Sequence, residues 1–113
     1  MSPITTHILD TTLGIPARGV PIQLFKLDGA GAPVELARGL TNDDGRIRDL
    51  LPEGALTVGV YQMRFDTERY FTSIDRTGFY PEVVITFTLR EVDSHYHIPL
   101  LLSPYGYSTY RGS

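Results

Sequence analysis

Val83-Val84-Ile85-Thr86-Phe87-Thr88-Leu89 is the stretch on which the fold class turns. It is β-branched and aromatic, and successive strand side chains point to opposite faces, so Val83, Ile85, Phe87 and Leu89 form an inner row while Val84, Thr86 and Thr88 face outward. Two more β-type runs follow it, His95 to Leu102 and, after the Ser103-Pro104 break, Tyr105 to Tyr110. Upstream, Thr6 to Thr12, Val20 to Leu27, Val34 to Thr41, Arg46 to Leu51 and Leu56 to Phe65 read as strands separated by Gly, Pro, Asn and Asp. Asp43-Asp44-Gly45 supplies the positive φ that a tight reversal needs. Asp66 is a capping residue, and Glu68 to Ser73 lacks Gly and Pro, which predicts one short helix. About eight short strands with one short helix describe an all-β, antiparallel β-sandwich.

Composition narrows the function classes. The 113 residues fit one compact domain, 1–113, with no internal repeat or low-complexity linker. No cysteine is present, which removes disulfides, thiol nucleophiles and thiolate metal sites. A net charge of −3 leaves no basic footprint for nucleic acid or anionic lipid. No run is apolar and long enough to span a bilayer, and the start at Met1 lacks the pattern of a secretory signal. The expectation is a cytoplasmic protein without nucleic-acid or membrane partners.

Three histidines, His7, His95 and His97, are the candidates for proton transfer near neutral pH. His95 and His97, two apart on a strand, share a face with Pro99 and Leu101, while Ile98, Leu100 and Leu102 line the other. Read from spacing alone, the pair is compatible with idle strand histidines, or with a three-imidazole zinc site completed by His7. Arg46, just after the Asp-Gly turn, is either solvated or a fixed cation with a fork of donors for a planar substrate. The closing eleven residues, Ser103 to Ser113, pack three tyrosines, Arg111 and several hydroxyls into a chain end. Termini are ordinarily bland; this one reads as a segment held by packing against a pocket, or as an ordinary edge strand.

Three blocks carry a resemblance. Thr5-Thr6-His7-Ile8-Leu9-Asp10-Thr11 with Gly14 to Ala17, Thr41-Asn42-Asp43-Asp44-Gly45-Arg46, and His95-Tyr96-His97-Ile98-Pro99-Leu100-Leu101-Leu102-Ser103-Pro104 through Tyr110-Arg111-Gly112-Ser113 together resemble the 5-hydroxyisourate hydrolases of the transthyretin family. Tyr61 to Phe71 and Phe79-Tyr80-Pro81-Glu82 extend the match over nearly the whole chain. Departures are mild: Ile98 stands where valine is common, and there is no tryptophan.

The resemblance implies a transthyretin-like sandwich and a homotetramer, with active sites where subunits meet. It implies hydrolysis of 5-hydroxyisourate to 2-oxo-4-hydroxy-4-carboxy-5-ureidoimidazoline, a step of urate degradation. It assigns the family's catalytic positions to His7, Arg46, His97 and Ser113, with His7, Arg46 and Tyr110 on the substrate and His95, Arg111 and Gly112 in support. One imidazole, His7 or His97, would take a proton from the attacking water, and Arg46 would stabilise the oxyanion. No metal and no cofactor is called for, because a cyclic imide-like carbonyl is already electrophilic. The family's thyroid-hormone carrier branch differs at the positions of His7, Arg46 and His97 and lacks the terminal Tyr-Arg-Gly-Ser. These differences count against a carrier, and a small-molecule carrier on the shared sandwich is kept as the alternative function.

Overall fold

The alternation read from Val83 to Leu89 builds one of two facing four-stranded sheets. The structure, a computed structural model, describes residues 2–27, 29, 32–52, 54 and 56–112. Its elements are β1 (Ile4–Asp10), β2 (Ile15–Pro16), β3 (Pro21–Leu27), β4 (Val34–Leu40), β5 (Gly59–Phe65), α1 (Thr67–Ser73), β6 (Val83–Leu89), β7 (Tyr96–Ser103) and β8 (Gly106–Thr109). One sheet has the order β2-β1-β7-β8 and the other β4-β3-β5-β6. Val83 and Leu89 are buried and Ile85 and Phe87 half-buried, with Val84, Thr86 and Thr88 exposed, as the pattern requires. No helix among the described residues is long and apolar enough to cross a membrane.

The core is filled from both inner faces. Ile4, Ile8, Ile98, Leu100 and Leu102 of one sheet meet Ile22, Leu24, Tyr61, Met63, Phe65 and Leu89 of the other. Each such side chain contributes about 1.5–3 kcal/mol by leaving water. The short helix closes one end. Asp66 caps it by accepting the Arg69 N–H at 3.1 Å, and Tyr70 and Phe71 are buried. The Tyr70 hydroxyl donates to buried Asp10 Oδ2 at 2.7 Å, while Asp10 Oδ1 accepts the N–H groups of Thr12 and Leu13. That carboxylate ties the end of β1 to α1, and desolvation together with this bond pushes the Tyr70 hydroxyl pKa well up.

Two features depart from the sequence expectation. Arg46 to Leu51 is not a strand. Arg46 makes one antiparallel bridge to His7, after which the chain turns away: Asp49 takes φ 56° and Leu50 and Leu51 are buried in succession. A strand would turn one of two adjacent leucines outward, and a left-handed residue breaks the ladder. The eighth strand is instead the two-residue β2, paired with Leu9 and Asp10. The second departure is one of direction. β1 and β7 run parallel, Thr5 opposite His97 and His7 opposite Pro99, while the other ladders are antiparallel. Strands so far apart in the chain are free of the hairpin constraint that forces reversal.

Candidate active site

The parallel β1–β7 pair brings the chemistry together. With Ile4, Thr6 and Ile8 buried on the inner face, Thr5 and His7 face outward, and His97 lies on the same outer face beside Thr5. Residues separated by ninety positions thus become neighbours through a backbone ladder.

Arg46 is delivered by the turn that precedes it. Asn42 Oδ1 accepts the N–H groups of Asp44 (2.9 Å) and Arg46 (3.1 Å), and Thr41, buried, bonds to the Ala17 carbonyl and the Val20 N–H. Gly45 has φ +74°, and its carbonyl accepts the Ile8 N–H at 2.9 Å. A Cβ there would fall on the Ile8 carbonyl oxygen, so only glycine lets the turn lie against β1. The consequence is that Arg46 Nη2 reaches His7 Nδ1 at 3.5 Å. A guanidinium only donates, so in this contact Nδ1 is the acceptor. Arg46 meets no carboxylate among the described residues, which leaves its charge available to a ligand.

A cleft of about 650 Å³ opens over this face, lined by Thr5, Arg46, Ile47, Asp49, His95 and His97, among others. Its far wall is the 46–51 segment, held to the start of β1 by Leu51 N–H donating to Ser2 Oγ. Burial lowers the His97 pKa, and the charges of Arg46, His7 and His95 lower it further, against a hydrogen bond to the Thr5 backbone carbonyl. Burial likewise lowers His7, with Arg46 adding to the effect and the Asp44 carbonyl and carboxylate opposing it. Both shifts favour the neutral imidazole, the form a proton acceptor needs. Among the described residues, no three His, Asp or Glu side chains converge as metal ligands.

Arg46, His95 and His97 thus line one cleft, and His7 stands beside it against Arg46. Gly112 joins through the backbone: its N–H donates to the His97 carbonyl at 2.8 Å, and a Cβ at Gly112 would lie 2.5 Å from His97 Cδ2. A Gly112→Ala variant is expected to push the His97 ring aside and lower turnover by up to about a hundredfold without unfolding the sandwich. Kinetics beside circular dichroism would check this, and wild-type turnover would sink it. Tyr110 is not in the cleft within this chain. It borders a second, more apolar pocket of about 250 Å³, with Ile85, Phe87, Tyr96 and His97. Arg111 lies over the Tyr96 ring, 4.5 Å from its centroid, a cation–π contact that anchors the chain end. Ser113 lies outside the described residues.

Sequence reasoning missed the role of Thr5. Its Oγ1 is 2.8 Å from both His95 Nε2 and His97 Nδ1. Once the β1–β7 register was known the pairing would have been legible; a lone threonine in a strand carries no such signal.

A two-sheet all-β sandwich with an imidazole–guanidinium cleft on one outer face defines a class of small β-sandwich hydrolases and carriers. The model of the HIUase/Transthyretin family matches residues 4–112, and the chain belongs to that family. It is 44% identical to the 5-hydroxyisourate hydrolase of Mus musculus over 113 residues, covering 99% of this chain and 96% of the mouse protein. It is 47% identical to 5-hydroxyisourate hydrolase 2 of Rhizobium meliloti, covering 97% and 95%. Among solved structures, sea bream transthyretin in complex with thyroxine superposes with a TM-score of 0.93 at 33% identity, covering 98% of this chain and 95% of that one. Klebsiella pneumoniae 5-hydroxyisourate hydrolase gives 0.83 at 35% identity, covering 97% and 98%. Within the family, this chain is an enzyme of the hydrolase branch.

Proposed function

We propose that the protein, as one domain spanning residues 1–113, hydrolyses 5-hydroxyisourate to 2-oxo-4-hydroxy-4-carboxy-5-ureidoimidazoline in urate breakdown. The observation that carries this reading is that Arg46 and His97 line one cleft with His7 against Arg46, from three distant parts of a chain so similar to the hydrolases. His97, neutral, takes the proton of the attacking water and later returns it to the departing ring nitrogen. Arg46 stabilises the developing oxyanion. His7, beside Arg46, serves to hold the substrate ring. We also propose a homotetramer in which Tyr110 and Ser113 reach the substrate once subunits pack on this face. A cytoplasmic setting belongs to the same proposal.

The experiment is a spectroscopic decay assay of 5-hydroxyisourate generated in situ from urate and its oxidase. Decay no faster than the uncatalysed rate would rule the activity out. The alternative, a small-molecule carrier, draws on the TM-score of 0.93 with the thyroxine-bound sea bream protein. Calorimetric binding of an iodinated aromatic, with no consumption of 5-hydroxyisourate, would favour it.

The lowered histidine pKa values give the pH dependence a sign. A base with a depressed pKa stays unprotonated until the pH falls further than usual, so activity should be flat through neutrality. The acid limb of kcat/KM should lie below the ordinary histidine value of 6.5. In the unfolded chain the same imidazoles regain that value and bind protons first, so stability also declines as pH falls below it. An acid limb centred above 6.5 would contradict this assignment of the base.

A further inference from the structure

Thr5 stands between two imidazoles and has a single hydrogen to give. Its Oγ1 lies 2.8 Å from His97 Nδ1 and 2.8 Å from His95 Nε2. A hydroxyl donates once and accepts through its lone pairs, so one ring receives the threonine hydrogen and the other donates its own. The direction follows from the role of His97. A base must turn a bare nitrogen to the attacking water, and with Nδ1 turned to Thr5 that nitrogen is Nε2, so Nδ1 carries the hydrogen. Thr5 then donates to His95 Nε2, whose ring hydrogen sits on Nδ1.

We propose that Thr5 is the positioning residue of the His97 base and the middle of a proton relay from His97 to His95. Its kinetic part and the direction of its hydrogen bonds rest on the hydrolytic reading above; the Thr5 bridge between the two rings rests on geometry alone. As water attacks, its oxygen bonds to the carbonyl carbon and one of its protons passes to His97 Nε2. The proton on His97 Nδ1 moves to Thr5 Oγ1, and the hydroxyl proton of Thr5 moves to His95 Nε2. His97 ends neutral and His95 cationic. When the carbon–nitrogen bond breaks, His97 Nε2 gives its proton to the leaving nitrogen, and the chain runs back from His95 through Thr5 to His97 Nδ1. Protons balance, and no other reactant is needed.

The physical reason for such a relay is the charge around His97. Arg46 from the turn, His7 from β1 and His95 from its own chain segment face it, and Arg48 and Asp49 stand in the cleft wall. A second cation beside Arg46 is disfavoured. His95 is exposed, so water solvates the charge there.

The test uses histidine-15N-labelled full-length protein, whose three histidines make the spectrum simple to assign. Long-range proton–nitrogen correlations above the histidine titration range should show both His95 and His97 in the Nδ1–H form. Thr5→Val, which keeps shape and β-branching, should move His97 to the Nε2–H form. It should also lower kcat by on the order of tenfold to a hundredfold with KM nearly unchanged, and Thr5→Ser should restore both. A wild-type His97 already in the Nε2–H form, or a Thr5→Val protein with unaltered tautomers and kcat, overturns the proposal. The wild-type spectrum alone decides the hydrogen-bond assignment, whatever the variants do. A protein inert towards 5-hydroxyisourate sinks the hydrolytic reading and the relay with it, while the tautomers still report separately on Thr5.

Discussion

His97→Asn is expected to lower kcat for 5-hydroxyisourate by about two to four orders of magnitude, the usual contribution of a positioned acid–base group. Asparagine keeps a polar side chain able to bond to Thr5, so the β1–β7 pairing and the inner-face core of Ile98, Leu100 and Leu102 stay as they are. Binding should change far less than turnover, because the neutral imidazole contributes its proton affinity mainly in the transition state. His95→Gln should cost less than His97→Asn and about as much as Thr5→Val, since His95 is exposed and takes part only through Thr5. Comparable turnover for wild type and His97→Asn, with both proteins folded by circular dichroism, would remove His97 from the mechanism. His7 would then be the remaining imidazole on that face.

The second large effect is at Arg46. Arg46→Ala is expected to reduce kcat/KM by about a hundredfold to a thousandfold, the range seen when one donor to a developing oxyanion is removed. Two consequences accompany it. His7 Nδ1 loses its contact with the guanidinium, and the positive charge that helps keep His7 and His97 unprotonated disappears. The acid limb of the pH profile should therefore shift upward in Arg46→Ala, towards 6.5, a readout that a merely structural role would not move. Arg46→Lys keeps charge without the planar fork, and should recover the pH profile better than the rate. An alanine variant with unaltered kcat/KM and an unaltered acid limb would leave Arg46 a solvated surface residue.

The readings from residues and those from the resemblance fared differently for physical reasons. Alternation along Val83 to Leu89 and along Tyr96 to Leu102 reports which side chains meet the core, so the sandwich and the shared outer face of His97 were legible locally. The failure at Arg46 to Leu51 has the same root. Its mixture of charged and apolar residues fits a strand by composition, yet the left-handed Asp49 and the successive burial of Leu50 and Leu51 follow from packing against Ser2 and the β1 start. Tyr110 shows the limit at the site. Its motif marks it as functional, while within one chain it borders a neighbouring pocket and not the cleft.

By itself, then, the sequence determined the two-sided strands, the capped helix, the Asp-Gly turn ahead of Arg46 and a family motif rich in proton-transfer groups. These are local properties, set by side-chain period, backbone preference and residue type. Tertiary structure alone decided that β1 and β7 run parallel in the register that sets Thr5 against His97, and that Gly45 presses Arg46 onto His7. Hydrogen-bond register and close backbone approach are pairwise properties of segments far apart in the chain, so no local pattern could have encoded them visibly. The tautomers of His97 and His95, on which proton transfer depends, arise only from that juxtaposition.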